Sequence, residues 1–232
     1  MKKKTYSLAI GSGFPSGSLM AVVPVVSVST DKLAKAKTQT KINNMSNQNT
    51  SQHGIRNSQM FLNEVYFWTS TVVQWKRLFA QDKYKQVIID SLKYLVEKQK
   101  IIVYGFVIMP NHVHILWELK ELNGKEKPHS SFLKFTAHEF LKDLKENHPE
   151  VLAIFEVNKK ERDHQFWQRD PLAIEMYDRF IFQQKLEYLH LNPLHARWNL
   201  ADRPENYYWS SARFYETGIN DFGFLKHYMD RF

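Results

Sequence analysis

Two histidines, His112 and His114, are separated by one residue in a stretch with the alternating pattern of a β-strand. Side chains alternate between the two faces of a strand, so both imidazoles should lie on one face while Val113 faces the opposite layer. Two converging imidazoles can bind one divalent cation or hydrogen-bond to one phosphate. The alternative is a pair of surface histidines on an amphipathic strand, and the motif by itself leaves both interpretations open.

A second group of polar side chains lies near the end of a helix predicted from about Asp178 to Asn192. Tyr188 and Asn192 are four residues apart and therefore share a helix face. Lys185 lies on the same flank, because the apolar stripe of the helix is formed by Phe182, Leu186 and Leu189. A phenol, an amide and an ammonium group thus meet at the core boundary. The alternative is that Asn192 only ends the helix ahead of Pro193 and that Tyr188 only packs.

The elements that must position these groups follow from hydrophobic periodicity. We predict strands over 65–73, 101–108, 112–119 and about 173–176. Between them we predict one helix capped by Asp82, another starting at Ser130 or Ser131, and a sharp turn at Met109-Pro110-Asn111. This order predicts a ferredoxin-like α+β fold, in which helices pack on one face of an antiparallel sheet. The chain past Trp198 should fold back over the sheet or its edge.

Charge divides the chain after Gln59. Residues 1 to 59 hold 8 Lys and Arg against the single acid Asp31, whereas residues 60 to 232 hold 24 basic and 23 acidic residues. Tyr6 and Phe14 are the only aromatics before Met60, and the amide-rich stretch up to Gln59 suits a disordered chain. We therefore predict a disordered basic tail over 1–59 and one folded domain over 60–232.

The chain contains no cysteine, which excludes a disulfide framework, a thiolate nucleophile and a sulfur-ligated zinc site. No apolar run reaches the roughly 20 residues of a membrane-spanning helix. We therefore expect a cytoplasmic protein.

Taken together, two segments resemble the single-tyrosine HUH transposases of bacterial insertion sequences, in particular the REP-associated tyrosine transposases. These segments are Val107-Ile108-Met109-Pro110-Asn111-His112-Val113-His114-Ile115-Leu116 and Lys185-Leu186-Glu187-Tyr188-Leu189-His190-Leu191-Asn192-Pro193. The resemblance extends from about Glu64 to Gly218 and includes Thr69-Ser70-Thr71, Phe166-Trp167-Gln168-Arg169 and Trp209-Ser210-Ser211-Ala212.

The resemblance implies a DNA strand-transfer enzyme that acts on single-stranded DNA next to hairpins and uses Mg²⁺ or Mn²⁺. On the matching positions, His112 and His114 would be metal ligands, Asn192 a third ligand and Tyr188 the nucleophile. Attack by Tyr188 would leave a 5′-phosphotyrosine link and a free 3′-hydroxyl, so the strand could be rejoined without ATP.

Because the folded part is almost neutral, DNA binding would depend on local contacts. The candidates are Lys185, Arg169, Trp167, Arg197 and Arg213. The protein could act as a monomer or as a homodimer.

Other functions are less compatible with the pattern. A histidine-triad hydrolase needs a third histidine where Leu116 stands, and a TIM barrel usually needs about 250 residues. The remaining alternative is a noncatalytic module that binds DNA hairpins and has lost cleavage.

Overall fold

The computed structural model describes residues 59–159 and 162–232, so the predicted disordered tail, apart from its last residue Gln59, lies outside the described residues. The elements follow in chain order: β1 Val65–Thr71, α1 Asp82–Glu97, β2 Ile101–Met109, β3 His112–Leu119, α2 Pro128–Asn147, α3 Pro149–Ala153, β4 Glu156–Lys159, β5 Arg162–His164, β6 Leu172–Glu175, α4 Arg179–Leu191 and α5 Ala212–Thr217. Short 3₁₀ helices occur at Val73–Trp75, Leu78–Ala80, Asn192–Leu194, Pro204–Asn206 and Tyr228–Asp230.

Four strands form the central sheet in the order β2-β3-β1-β6, and each neighbouring pair is antiparallel. The helix α1 connects β1 to β2, and the chain through α2 connects β3 to β6. This is the β-α-β-β-α-β order of a ferredoxin-like layer. The predicted α+β class and antiparallel sheet are therefore confirmed. The strands β4 and β5 pair separately, in a charged segment whose structure the sequence pattern did not predict.

One face of the sheet is covered by α1 and α2, as predicted. The helices contribute Leu92 and Phe132, among others, to a core that also contains Trp68, Ile115 and Trp117 from the strands. All five side chains are fully buried. Of the two buried clusters in the described residues, the one on this face is the larger.

The opposite face is covered in part by α4, which differs from the prediction of helices on one face only. A second core cluster joins Phe182 and Leu189 of α4 to Phe67, Val107 and Leu116 of the sheet. The physical reason is that every residue of β3 is buried, as are nearly all of β2, so both faces of these strands require cover.

Close packing of α4 on the sheet depends on Gly105 in β2. A Cβ atom at this position would lie 2.8 Å from Cδ1 of Leu186 and 3.3 Å from Oγ of Ser211. The pairing of β2 with β3 also shifts in register between Val103 and Gly105. Because Gly105 has no side chain, α4 can approach β2 closely at this bulge.

The outer edge of β2 is covered by the C-terminal part of the chain, as predicted. Ile108 donates its backbone N–H to the carbonyl of Trp209 at 2.9 Å, and the Tyr207 hydroxyl donates to the carbonyl of Ile108 at 2.8 Å. Lys226 donates its N–H to the carbonyl of Val103 at 3.0 Å. These contacts satisfy polar groups that an edge strand would otherwise expose.

Two predicted helix starts are wrong. Gln81 occupies the N-cap of α1, and the Asp82 carboxylate accepts a hydrogen bond from Lys85 at 2.7 Å instead of capping the helix. The helix α2 begins at Pro128 and not at Ser130 or Ser131, because proline is well suited to the first turn, where its missing N–H costs nothing. Within residues 59–159 and 162–232, no helix is both long and apolar enough to cross a membrane.

Candidate functional site

The β2–β3 hairpin places the two histidines side by side. Its loop is Pro110-Asn111, and the pairing of Met109 with His112 starts the ladder. The ring centroids of His112 and His114 are 4.7 Å apart, while Val113 belongs to the core on the other face. The predicted shared face is confirmed. The imidazoles are 7% and 5% exposed, so they form the floor of a site and are not freely solvated surface histidines.

Hydrogen bonds determine which ring nitrogen of each histidine faces the site. His112 Nδ1 lies 2.7 Å from Oδ1 of Asn111, whose Nδ2 donates to the carbonyl of Trp75 at 3.1 Å. Since that amide oxygen can only accept, His112 Nδ1 carries the hydrogen. Its Nε2 therefore keeps a free lone pair.

His114 has the same tautomer for a similar reason. Its Nε2 lies 3.3 Å from Nδ2 of Asn192, an amide donor, and its Nδ1 lies 2.7 Å from Oγ1 of Thr69. Nε2 is thus the acceptor, and Nδ1–H donates to the threonine hydroxyl. Metal-binding histidines are commonly held in this way, with the remote N–H fixed by a hydrogen bond.

Burial keeps both imidazoles uncharged. It lowers the pKa of His112 to about 4, an effect to which the nearby Arg197 guanidinium adds. Burial also holds the pKa of His114 well below its usual range, with further contributions from His112 and Lys185. Both rings are therefore neutral at physiological pH, which is the form that binds metal ions.

The helix α4 brings Tyr188 and Asn192 to the same place. Asp178 caps it by accepting hydrogen bonds from the N–H groups of Phe180 and Ile181 at 2.8 and 3.1 Å. The Tyr188 ring lies 5.6 Å from the ring of His114 and is 52% exposed, so its hydroxyl can be reached by a ligand. The predicted convergence of the two motifs is present in the structure.

A cavity of about 400 Å³ contains these groups. It is lined by Thr69, Thr71, Trp75, His112, His114, Tyr188, Leu191, Asn192, His195, Arg197 and Trp198. Lys185 lies beside it, with Nζ 5.9 Å from the centre of the Tyr188 ring and 5.2 Å from that of Phe67. The cavity thus combines a neutral floor with cations at its sides.

The metal-ligating atoms available in the cavity fit a weakly bound divalent cation. In the described part of the chain, no group of three His, Asp or Glu side chains could hold a metal. The available donors are His112 Nε2, His114 Nε2 and, after a turn of its amide group, Oδ1 of Asn192. Three neutral donors leave coordination positions for phosphate oxygens and do not reduce the charge of the ion. Imidazole nitrogen suits Mn²⁺ better than Mg²⁺, which prefers oxygen ligands.

The predicted DNA contacts divide into two groups. Arg197 lines the cavity and Lys185 flanks it, whereas Arg213 pairs with Asp221 at 3.2 Å and does not line the cavity. Arg169 lines a separate groove of about 530 Å³ beside α2.

Trp167 is the candidate that the structure contradicts. It is 7% exposed, its indole N–H donates to the hydroxyl of Thr136 at 3.0 Å, and its ring packs 5.4 Å from that of Phe79. A base could not stack on a ring enclosed in this way. Because the neighbouring residues in the sequence are charged, the sequence does not indicate that Trp167 lies in the core.

Several residues of the cavity were not predicted from the sequence to be functional. Thr69 pairs directly with His114 across β1 and β3, so only the strand register reveals that its hydroxyl orients this histidine. Trp75 reaches the cavity through an unusual turn, for which the sequence offers no signal.

No known protein family matches the sequence, and no curated protein matches it either. One matching solved structure is that of a REP-associated tyrosine transposase bound to a REP hairpin. It has a TM-score of 0.49 and 14% sequence identity, and the match covers 76% of this chain and 92% of that chain. That protein is a distant structural neighbour of the present one.

Proposed function

We propose that this protein is a metal-dependent tyrosine nuclease and strand transferase that cleaves and rejoins single-stranded DNA near hairpins. One observation carries the proposal. Two neutral histidines of β3, the Tyr188 side chain of α4 and the Asn192 side chain at the C-cap of α4 meet in one solvent-open cavity. This set has no evident structural purpose, because burying two polar imidazoles side by side costs free energy without improving the core.

The chemistry assigned to Tyr188 is attack on a backbone phosphate. Its phenol oxygen forms a bond to phosphorus, the bond from phosphorus to the 3′ oxygen breaks, and the departing oxygen takes up a proton while the phenol releases its own to water. The product is a 5′-phosphotyrosine link and a free 3′-hydroxyl. Attack by that hydroxyl reverses the step and rejoins the strand.

The remaining groups of the cavity would assist this step. A phenol is almost entirely protonated at neutral pH and is a poor nucleophile. A divalent cation held by His112, His114 and Asn192 would polarise the phosphate and offset the negative charge that builds on the attacking oxygen. Lys185, whose Nζ lies 5.9 Å from the centre of the Tyr188 ring, supplies a positive charge on this side of the cavity.

The form of the cavity supports a single strand as substrate. It is open to solvent, and the cationic groups of Lys185, Arg77 and Arg197 lie near its aromatic rings. Cations interleaved with aromatic faces are typical of single-strand binding sites. The preference for hairpins comes from the sequence resemblance, and the cytoplasmic location expected from the cysteine-free sequence belongs to the same proposal.

The proposal is tested by incubating the full chain with labelled hairpin-bearing single strands and Mn²⁺, followed by denaturing electrophoresis. We expect a covalent protein–DNA adduct with the wild type and none with Tyr188→Phe, which loses only the hydroxyl. Tyr177→Phe is the matched control, because Tyr177 is a 70% exposed tyrosine that precedes α4, and it should form the adduct normally.

Two results would count against the proposal. An adduct that persists in Tyr188→Phe would show that another residue is the nucleophile. Tight hairpin binding with no adduct under any metal condition would favour the noncatalytic binding module.

A further inference from the structure

Trp75 is a large aromatic side chain that the core does not explain. It is 55% exposed, yet it lies at the cavity with its ring centre 6.4 Å from that of His112. Trp75 ends the short 3₁₀ turn Val73–Trp75 that follows β1. Its exposed side chain therefore forms part of the cavity wall.

The backbone that presents this ring is strained. Gln74 and Trp75 have φ angles of 54° and 58°, in the left-handed region that side chains larger than glycine rarely adopt. Such conformations persist only where surrounding contacts enforce them, and they are concentrated at binding and catalytic sites. A turn that served only to connect β1 to the next element would be built more easily with glycine.

The contacts that enforce this turn also orient the His112 ring. Trp75 N–H donates to the carbonyl of Val72 at 3.0 Å, and its own carbonyl accepts from Nδ2 of Asn111 at 3.1 Å. The Oδ1 atom of the same Asn111 amide accepts a hydrogen bond from His112 Nδ1. Asn111 is 2% exposed, so a single buried side chain fixes both the Trp75 backbone and the His112 ring.

A second indole and two guanidinium groups complete the surroundings. The Trp198 ring lies 5.9 Å from that of His112, and the guanidinium carbons of Arg77 and Arg197 lie 5.9 and 5.2 Å from the centre of the Trp198 ring. Both arginines are exposed. Exposed rings offer stacking surfaces, and exposed guanidinium groups bind phosphate oxygens.

We propose that Trp75 is a stacking platform for an unpaired nucleobase of the strand whose phosphate lies at His112 and His114, with Arg77 and Arg197 binding neighbouring phosphates. This inference rests on the proposed function and deepens it, since it assigns a base-binding position beside the reacting phosphate. A DNA strand fits better than a protein segment, because two guanidinium groups lie over the neighbouring Trp198 ring and the floor of the cavity suits a phosphate.

The test measures DNA binding without cleavage, so it does not depend on Tyr188 chemistry. Fluorescence anisotropy with labelled oligothymidylate, in the presence of a chelator, should show Trp75→Ala binding roughly 5- to 150-fold more weakly than the wild type. Trp75→Phe should retain most of the affinity, because a phenyl ring still stacks. Tyr94→Ala removes a similarly exposed aromatic from α1 on the far side of the sheet and should bind like the wild type.

A second measurement needs no substitution and so does not depend on a variant folding. Ultraviolet irradiation of the wild type with a single strand that contains bromodeoxyuridine should cross-link the base to Trp75, and the cross-linked peptide can be identified by mass spectrometry. An oligoribouridylate arm of the anisotropy assay tests whether RNA is bound instead. Tighter binding of that strand than of DNA would overturn the DNA assignment.

The outcomes separate this inference from the proposed function. If the wild type forms the Tyr188 adduct but Trp75→Ala binds oligothymidylate equally well and no cross-link maps to Trp75, the platform is refuted while the nuclease proposal stands. If the wild type binds no single strand at all, both proposals fail.

Discussion

Acidification should destabilise the folded protein through His112, by an amount that follows from its burial. The pKa of His112 is about 4 in the folded protein, whereas an unfolded chain has its histidines near 6.5. Between these values the unfolded state binds a proton that the folded state does not, so stability falls as the pH falls through this range. From about pH 7.5 to about pH 5.5 the loss due to this group is about 1.3 kcal/mol, and it approaches about 3 kcal/mol below pH 4.

The assay is urea unfolding of the wild type and of His112→Gln at both pH values. The variant has no titrating group at this position, so the wild type should lose about 1.3 kcal/mol more stability than the variant on acidification. His138→Gln is the matched control, because His138 is exposed on α2, and its pH dependence should equal that of the wild type. Equal losses for the wild type and His112→Gln would refute the claim that this imidazole is held neutral by burial.

Two further substitutions test how the site is built. Thr69→Val removes the acceptor of the His114 Nδ1–H, so the Mn²⁺ affinity measured by calorimetry should fall about 10- to 100-fold. Ser70→Ala is the matched control. The Ser70 hydroxyl has no partner among the described residues, so this variant should bind Mn²⁺ like the wild type. Equal Mn²⁺ affinity in Thr69→Val would show that the hydroxyl does not orient the ligand. Gly105→Ala should lower the free energy of unfolding by about 1–3 kcal/mol and slow adduct formation, because the new Cβ displaces Leu186 and with it the helix that carries Tyr188. Unchanged stability in urea would show that α4 does not depend on the bare backbone of β2.

Local patterns were sufficient to predict the parts of the site that are contiguous in sequence. The alternation around Val113 placed both histidines on one face, and the spacing of Leu186 and Leu189 identified the buried side of α4. The sharp turn at Pro110-Asn111 was also evident. Each of these features depends on neighbours within a few residues, which is the range over which periodicity is informative.

Features that depend on distant parts of the chain were not predictable from these patterns. The Thr69–His114 contact joins residues 45 positions apart and exists only because β1 pairs with β3 in one register. The core position of Trp167 likewise depends on α2 packing over the end of β1. The second covered face does have a signal in the sequence, since the uninterrupted apolar run from Ile101 to Met109 is typical of a strand buried on both sides.

Mass spectrometry of the covalent adduct tests the central claim most directly. After incubation of the full chain with a hairpin-bearing single strand and Mn²⁺, nuclease and protease digestion should yield a peptide that carries a 5′-linked nucleotide on the phenol oxygen of Tyr188. The account predicts this modification in the wild type and its loss when His114 is replaced by alanine. A nucleotide on any other residue, or cleavage of the strand without a covalent protein intermediate, would contradict it.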